Sequence, residues 1–360
     1  MTTMLSGWRS SLTMIVLAFL IFESCSTAKK GHRTRVSGQE EVVTLGFWNL
    51  ENLFDTIDQP DVRDSEFTPS GKRHYDTRIY REKLGKLAEV IAQIGKDVTP
   101  DGVAILGVSE VENYGVLKDL VKESPLKAKG FQVIHRNSPD ERGIDVGMLY
   151  QPKYFHPSDV QTHPVFLYNA DGSRDYTRDV LEVTGDLLGE RIHYFVNHWP
   201  SRSGGEEASR WRRDSAAAVA RRAINKVFAQ EPQAKIFVVG DFNDNPNNES
   251  VVRFLRAGPD KHPKDRTALY NTTYHLYKSG IGSTAYRDAW SLFDQAIVSI
   301  PLLEDKKGWH LVKTGIFNRR FMINSLGKYK GYPKRSFVGD TWQGGYSDHF
   351  PVYMYVVRPK

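Results

Sequence analysis

The chain has 360 residues, a formal net charge of +6 at pH 7 and 40% hydrophobic residues, values that are ordinary for a globular protein with a large core. Its single cysteine excludes an internal disulfide framework and a cysteine-based zinc site. The sequence pI near 9.1 permits an anionic ligand, but part of the basic excess lies near the N-terminus, so basicity indicates nucleic acid only weakly.

The N-terminal segment, residues 1–25, has the order of an export signal. Arg9 precedes an apolar run at residues 12–22, which is short for a membrane span, and Cys25 follows. A lone cysteine in this place is similar to the acylated cysteine of a bacterial lipoprotein, and two acyl chains on it would anchor the protein stably. We therefore expect a lipobox at Cys25, export, and a lipid anchor in the cell envelope that faces the periplasm or the exterior. A cleaved form without lipid and an uncleaved anchor are the alternatives.

The rest of the chain divides into a linker and a folded part. Residues 26–40 are polar and rich in Lys, Arg, Ser and Gly, a composition that predicts a flexible tether. Residues 41–360 show no internal repeat and no break in composition, so we expect a single domain there. Within this domain, residues 55–76 and 257–290 lack periodicity and predict long loops.

Strand and helix patterns alternate along the domain. Apolar runs predict strands at Val42–Trp48, Val103–Val108, Phe131–His135, Asp145–Tyr150, Leu181–Leu188, Ile192–Val196, Lys235–Val239, Leu292–Val298 and Phe350–Val357. Apolar residues that recur every three or four positions predict helices at Thr77–Ile94, from Asn113 to Leu120, at Glu206–Phe228 and around Val251–Leu255. This alternation is typical of an α/β protein.

Side chains able to do chemistry stand at the ends of these predicted strands. The set comprises Asn49, Glu51, Glu110, His198, Asp241, Asn243, Asp294, Asp348 and His349. Polar groups just past the carboxyl ends of buried strands usually line a crevice, so we expect this set to form one site. Asp241 and Asn243 are also ordinary turn residues, which leaves a structural turn as the alternative for them.

The oxygen-rich composition of this set predicts a metal site. Carboxylate and carboxamide oxygens suit a hard cation such as Mg²⁺, with Mn²⁺ or Ca²⁺ as substitutes, and the histidines would also permit zinc. Asp294 lies in an apolar strand and needs a partner there, because an unpaired buried charge is expensive. An aspartate beside a histidine fixes the imidazole and holds it charged. The pairing of Asp294 with His349 fits this rule, and a pairing of Asp241 with a water is the alternative.

Six short motifs follow one another along the chain: Asn49-Leu50-Glu51, Ser109-Glu110-Val111, Asn197-His198-Trp199, Gly240-Asp241-Phe242-Asn243, Phe293-Asp294-Gln295 and Ser347-Asp348-His349. In this order they resemble those of the endonuclease/exonuclease/phosphatase superfamily, in particular its deoxyribonuclease and sphingomyelinase branches. The resemblance spans Val42 to Val357. It implies a four-layer α/β sandwich, in which two mixed β-sheets pack face to face with helices outside, and an active site at one edge of the sheets.

The resemblance also implies which residues hold the metal. Glu110 is similar to the superfamily's principal metal carboxylate, with Asn49 beside it as a ligand or a supporting group. Asp348 resembles an additional metal carboxylate. Glu51 stands where one branch of the superfamily has an acid and is a further candidate ligand.

The remaining motif residues match catalytic groups. Asp241, held by Asn243, resembles the group that orients or deprotonates the attacking water. His349, oriented by Asp294, resembles the phosphate-binding imidazolium. His198 matches a histidine that contacts the scissile phosphate and protonates the leaving oxygen. These roles imply in-line attack of a water on a phosphate ester.

Three further residues are candidates for phosphate contacts, namely Arg142, Tyr150 and Arg202. For the two arginines a surface role is the alternative, and for Tyr150 it is packing. The implied function is a divalent-metal phosphodiesterase of nuclease type that acts on DNA or RNA as a monomer. A phosphomonoesterase or sphingomyelinase-like hydrolase of phospholipid or inositol-phosphate head groups uses the same constellation, and an inactive surface binding module is a third hypothesis.

Overall fold

The structure, a computed structural model, describes residues 40–360. The predicted signal peptide, the lipidation site Cys25 and the tether as far as residue 39 lie outside the described residues. The described residues belong to one unit of the chain, Arg35–Lys360. None of their helices is long and apolar enough to cross a membrane.

Two large mixed sheets dominate the described chain. In chain order their strands are β1 (Glu40–Leu53), β2 (Val103–Val111), β3 (Gln132–His135), β4 (Asp145–Tyr150), β5 (Phe155–His163), β6 (Val180–Leu187), β7 (Glu190–His198), β8 (Ile236–Asp241), β9 (Ala257–Gly258), β10 (Leu269–Asn271), β11 (Asp294–Ser299), β12 (His310–Ile316) and β13 (Val352–Pro359). The first sheet has the order β12-β13-β1-β2-β4-β3 and the second β9-β10-β11-β8-β7-β6-β5. The pairs β1–β2 and β7–β8 are parallel, whereas β1–β13 and β8–β11 are antiparallel.

Helices and short ribbons connect these strands. The helices are α1 (Thr77–Ile91), α2 (Tyr114–Lys122), α3 (Ser124–Lys127), α4 (Glu206–Gln230), α5 (Tyr274–Lys278) and α6 (Pro301–Glu304). Single 3₁₀ turns lie at Ser65–Phe67 and Arg320–Met322, and a π-helical turn at Ser250–Phe254. Two-stranded ribbons pair Leu167–Tyr168 with Arg174–Asp175, Thr284–Tyr286 with Ala289–Ser291, and Phe337–Val338 with Thr341–Trp342.

Local sequence explains where the first helices begin and end. The side chain of Asp76 accepts a hydrogen bond from the N–H of Ile79 and caps α1, and Asn113 caps α2 in the same way. Helix α1 ends at Ile91, three residues before the predicted end. The chain then continues in turns up to Gly95, whose φ of +78° lies in the left-handed region that favours glycine.

Alternating side chains of β1 separate an inner from an outer core. Val43, Leu45 and Phe47 belong to the core between the two sheets, whereas Trp48 and Leu50 belong to the core that the first sheet forms with α1 and α2. Successive side chains of a strand point to opposite faces of its sheet, so one buried strand supplies both cores.

Strand β8 plays the same part in the second sheet. Phe237 and Val239 lie in the core between the sheets, and Ile236 and Val238 pack in the core that includes α4. Helices therefore cover the outer faces of two sheets that pack on each other. The four-layer α/β sandwich that the resemblance implies is confirmed.

Two edge strands, β5 and β12, were absent from the sequence prediction. Both lie at the end of their sheet, and their side chains are mostly half-buried or exposed. An edge strand lacks the continuous apolar run of a central strand, and β5 also contains Pro157. Likewise, the predicted loop at 257–290 contains two very short sheet strands, a one-turn helix and most of a two-stranded ribbon, which are too brief to give a periodic pattern.

Candidate active site

Strand register gathers the polar strand ends at one edge of the sandwich. In the first sheet, Asn49 lies opposite the residue that precedes Glu110. In the second sheet, Asp241 is paired with His198 on one side and with Asp294 on the other. Because the pairs β1–β2 and β7–β8 are parallel, the carboxyl ends of these central strands meet at the same edge.

The backbone at these strand ends adopts an uncommon conformation. Glu51, Asn52, Glu110 and Asn243 have φ angles of 50°, 54°, 56° and 50°, a region in which non-glycine residues are rare and cost roughly 1 kcal/mol or more each. The pairing of β1 with β2 shifts register here, as in a β-bulge. With the backbone in this conformation, the N–H of Asn52 donates to Glu110 Oε2 at 2.9 Å. The bulge thus fixes the Glu110 carboxylate at the sheet edge.

Asn49 links the two sheets at the centre of the cluster. Its Nδ2 donates to Asp241 Oδ2 at 3.0 Å and to Glu110 Oε1 at 3.3 Å. The other carboxylate oxygen of Asp241 accepts the N–H of Asn243 at 2.9 Å, and Asn243 Nδ2 donates to the carbonyl oxygen of Trp199. Both oxygens of Asp241 therefore have a fixed donor, and the carboxylate is held in one orientation.

His349 is paired with Asp294. Its Nδ1 lies 2.6 Å from Asp294 Oδ2, and Trp48 Nε1 donates to its carbonyl oxygen at 2.8 Å. Burial opposes a charge on the ring, but the carboxylates of Asp294 and Asp241 outweigh it and raise the pKa of His349 well above its ordinary value. The free Nε2 lies 3.9 Å from Asp241 Oδ2. The structure forms the predicted pairing of Asp294 with His349.

The opposite electrostatic environment surrounds His198. Its Nε2 lies 3.9 Å from Glu110 Oε1 and 3.8 Å from Asp241 Oδ2. Burial lowers the pKa of His198 well below its ordinary value, and the charge of Arg178 lowers it further. Arg178 is itself fixed, since it donates to the carbonyl oxygen of His198 and to Asp140 Oδ2. The two histidines are thus held in different states, His349 charged and His198 neutral.

A buried ionic network underlies Glu51 and Asp348. Lys83 is fully buried and donates to the carbonyl oxygen of Glu51 and to Ser336 Oγ, both at 2.7 Å. Arg335 contacts Glu51 Oε1 at 3.3 Å and Asp348 Oδ2 at 3.0 Å. Burial raises the pKa of Glu51 to about 7, and burial also lowers the pKa of Lys83 to about 8. Both oxygens of Glu51 have donors, because Ser336 N–H contacts Oε2.

The donor set fits a hard divalent cation. Within the described chain, Asp241, Asp294 and His349 offer ligand atoms within 4.8 Å of one another. His349 is a poor ligand while Asp294 holds it protonated, so the remaining candidates are oxygens. The Glu110 side chain is 15% exposed and that of Asp348 is 31% exposed. Each carboxylate can therefore be reached from solvent, and oxygen ligands of this kind suit Mg²⁺, Mn²⁺ or Ca²⁺.

The structure does not bring Tyr150 to the cluster. Strand β4 runs antiparallel to β2, so Tyr150 lies opposite Ile105, at the end of β2 that is far from Glu110. Its ring packs edge-on against Phe155 at 5.9 Å between centroids. The predicted phosphate contact of Tyr150 is wrong, and packing, the alternative, accounts for it.

The two predicted arginines differ in their surroundings. Arg202 follows β7 and binds the loop after β8. There it donates to Asn243 O and to Asp244 Oδ1, both at 2.9 Å. These contacts give it a structural role and leave little freedom to turn toward a phosphate. Arg142 lies on an exposed loop, 3.7 Å from Asp140 Oδ1, and its charge contributes to the low pKa of His198. Of the two, Arg142 is the one that remains available for an anion.

Three cationic residues of this region were missed at the level of sequence, namely Lys83, Arg178 and Arg335. Lys83 had a visible signal, because it falls on the apolar stripe of α1 between Tyr80 and Leu87. A lysine on a buried helix face needs a nearby acceptor. Arg178 and Arg335 lie outside regular elements, where no periodicity distinguishes a buried arginine from an exposed one.

Comparisons with known proteins agree with this architecture. The sequence matches the endonuclease/exonuclease/phosphatase family over residues 44–358. Truncated TDP2 from Caenorhabditis elegans superposes with a TM-score of 0.52 at 17% identity, and the match covers 88% of this chain and 97% of that one. TDP2 from D. rerio in complex with a single-strand DNA product gives 0.52 at 12% identity, with 88% and 99% covered. A mannosyl-6-phosphatase from Bacteroides thetaiotaomicron gives 0.51 at 16% identity, with 87% and 99% covered.

At such low identity these structures establish a shared fold and leave the substrate open. No curated protein sequence matches the chain closely enough to add to them. The family match, in contrast, covers nearly all of the described residues and every one of the six motifs. The chain belongs to the endonuclease/exonuclease/phosphatase family.

Proposed function

We propose that the protein is a divalent-metal-dependent phosphodiesterase of nuclease type, which hydrolyses its substrate by in-line attack of a water oriented by Asp241. One observation carries this proposal. The Asp241 carboxylate is fixed by Asn49 on one oxygen and by the Asn243 N–H on the other, and it lies within 4 Å of both His198 and His349. A carboxylate positioned between two imidazoles fits a water-orienting base beside a phosphate.

The pKa of Asp241 suits that task. Burial raises it to about 6, and the charge of His349 limits the rise. A base is most effective when its pKa lies near the working pH, because it is then both deprotonated and able to accept a proton. Asp241 is therefore mostly ionised at neutral pH and can take a proton from the attacking water.

The two histidines have different roles at the phosphate. His349, kept as an imidazolium by Asp294, offers Nε2–H to a non-bridging oxygen and balances its charge. His198 is neutral in the free protein, so we assign it a hydrogen bond to the phosphate or to the leaving oxygen. The low pKa of His198 argues against a proton stored there for the leaving group.

A divalent cation, Mg²⁺ with Mn²⁺ or Ca²⁺ as substitutes, would be held by Glu110 and Asp348, and it would neutralise charge on the phosphate and on the leaving alkoxide. Asn49 is the supporting group beside them, because its Nδ2 faces Glu110 and its Oδ1 accepts the Glu51 N–H at 2.9 Å. Glu51 is engaged by Arg335 and Ser336, and we assign it the role of a supporting anion that fixes Arg335 beside Asp348.

A substrate panel tests the class of reaction. Single-stranded DNA, duplex DNA, RNA, sphingomyelin, inositol phosphates and mannose 6-phosphate are incubated with the full chain in detergent, with Mg²⁺ or with EDTA. We expect metal-dependent cleavage of nucleic acid. Release of phosphate from the monoesters alone would instead establish the phosphomonoesterase, and choline-phosphate release the sphingomyelinase-like hydrolase. If no substrate is turned over, the result supports the hypothesis of an inactive binding module.

We also propose that the protein is exported and acts as a lipid-anchored monomer. The support is the order of charge, apolar run and Cys25 at the N-terminus. Incorporation of a labelled fatty acid into the wild type, but not into Cys25→Ser, tests the anchor. Light scattering of the detergent-purified protein tests the monomer.

A further inference from the structure

A cavity of about 290 Å³ lies directly beside the proposed active site. One wall is formed by Arg335 and Asp348, which contact each other at 3.0 Å. Asp348 Oδ1 is in turn 3.9 Å from His349 Nε2. A group bound in this cavity would therefore be adjacent to a phosphate at His349. Asp348 is the one residue of the six motifs that lines this cavity.

Tyrosine rings also line the cavity and form an aromatic wall. Tyr329 and Tyr332 lie 5.8 Å apart between ring centroids, and Trp290 lies 5.9 Å from Tyr332. Tyr332 is locked in place, because its hydroxyl contacts the side chain and the N–H of Asp288, each at 2.6 Å. Tyr329 itself is 42% exposed to solvent. A rigid aromatic wall with one open ring can stack against a planar ligand.

The cavity is also rich in cations. Lys328 Nζ lies 5.7 Å from the centroid of Tyr329, and Arg287 lies 5.2 Å from that of Tyr286. Among the described residues, neither Lys328 nor Arg287 forms an ion pair, whereas the two acids of the cavity are engaged, Asp288 by Tyr332 and Asp348 by Arg335. The cavity therefore offers unpaired positive charge beside an aromatic face.

We propose that this cavity binds the nucleotide that flanks the scissile phosphate, with its base stacked on Tyr329 and its next phosphate at Lys328. This inference rests on the proposed function and names the substrate class of the same site. Aromatic rings with interleaved cations are how proteins hold single-stranded nucleic acid. The volume is at the lower limit of ligand sites, so it admits one nucleotide unit and no duplex.

The test compares substrates that differ only in one base. Thymidylyl-thymidine and the two analogues in which one thymine is replaced by hydrogen each contain a single scissile bond. The wild type should cleave the parent with a kcat/KM about 10- to 100-fold higher than one of the two analogues, the one that lacks the stacked base. Tyr329→Ala should remove that preference, and Tyr329→Phe should keep it. Lys328→Gln should lower kcat/KM only when a further terminal phosphate is present on that side.

The matched control is Tyr168→Ala, which removes an exposed tyrosine outside the cavity and should leave the preference unchanged. Equal cleavage of all three dinucleotides by the wild type overturns the inference, as does an equal loss on all three in Tyr329→Ala. Cleavage of sphingomyelin or phosphomonoesters but of no dinucleotide overturns it as well and leaves a phosphoesterase. A wild type that turns over no phosphate ester refutes the proposed function itself.

Discussion

Asn49 and Asp241 belong to different sheets and are joined by a hydrogen bond of 3.0 Å between Asn49 Nδ2 and Asp241 Oδ2. The bond crosses the sandwich at the edge where the strands end. It fixes the spacing between Glu110, on the first sheet, and Asp241 with the neighbouring His198, on the second. A site built from two sheets depends on contacts of this kind, because neither sheet alone holds both the metal candidates and Asp241, the base that we propose.

Asp241→Asn should lower kcat by about 10²- to 10⁴-fold, since the amide cannot accept a proton from water. The shape of the side chain is kept, so the melting temperature should change little. Asp186→Asn, an exposed aspartate on β6, is the control and should keep full activity. Turnover of a phosphodiester by Asp241→Asn at more than about a tenth of the wild-type rate would contradict the assignment.

Asp294→Asn should move the alkaline limb of the kcat profile to lower pH. The Asp294 carboxylate is the largest of the effects that raise the pKa of His349, so its removal lowers that pKa. Because the proposed role of His349 requires the imidazolium, activity is then lost at a lower pH than in the wild type. Rates on a chromogenic phosphodiester between pH 5 and 10 provide the measurement. A profile that falls in height without any shift would show that Asp294 only supports the fold.

The sequence predicted which residues would gather, but it could not predict their supports. Asp241, His198 and Asp294 follow from strand ends in central, strongly apolar strands, whose type is easy to recognise. The direction of a strand within a sheet is not local information, which is why Tyr150 was assigned to the wrong edge. The contact between Glu51 and Ser336 joins residues 285 positions apart, and nothing in either segment indicates the other.

Lys83→Ala should lower the free energy of unfolding by about 3 kcal/mol or more. The change leaves the carbonyl oxygen of Glu51 and the hydroxyl of Ser336 without their buried donor and removes a cation near Glu51. Breaking a buried ionic contact on one side typically has an effect of this size. Arg78→Ala, on the exposed face of the same helix, should cost no more than about 0.5 kcal/mol. Urea unfolding curves of the two variants make the comparison, and equal losses would refute it.

Asp305 should make a pH-dependent contribution to stability at acidic pH. The hydrogen bond from Lys235, 2.8 Å from Asp305 Oδ2, lowers the pKa of Asp305 to about 2. A lowered carboxylate pKa stabilises the folded state above the unfolded value of about 4, and this stabilisation is lost as the pH falls toward 2. The side chain is 41% exposed, so we expect on the order of 1 kcal/mol after solvent screening. Unfolding of the wild type and of Asp305→Asn at pH 5 and pH 2.5 should show that the gap between them narrows with acid. A gap that stays constant would exclude this contribution.

Addition of Mg²⁺ should raise the melting temperature of the EDTA-treated protein, and Glu110→Gln should abolish most of that rise. A ligand that binds only the folded state stabilises it by about 2.7 kcal/mol at a concentration of 100 Kd, which corresponds to a rise of roughly 4 °C in a chain of this size. Glu110 is held at the sheet edge by the Asn52 N–H and by Asn49, and its amide analogue keeps the shape but loses the charge. Glu112→Gln, two residues away and facing Gln59 and the Asp55 N–H, is the control and should keep the response. If Glu110→Gln responds to Mg²⁺ as the wild type does, the cation is held elsewhere, and the assignment of Glu110 as its principal carboxylate is wrong.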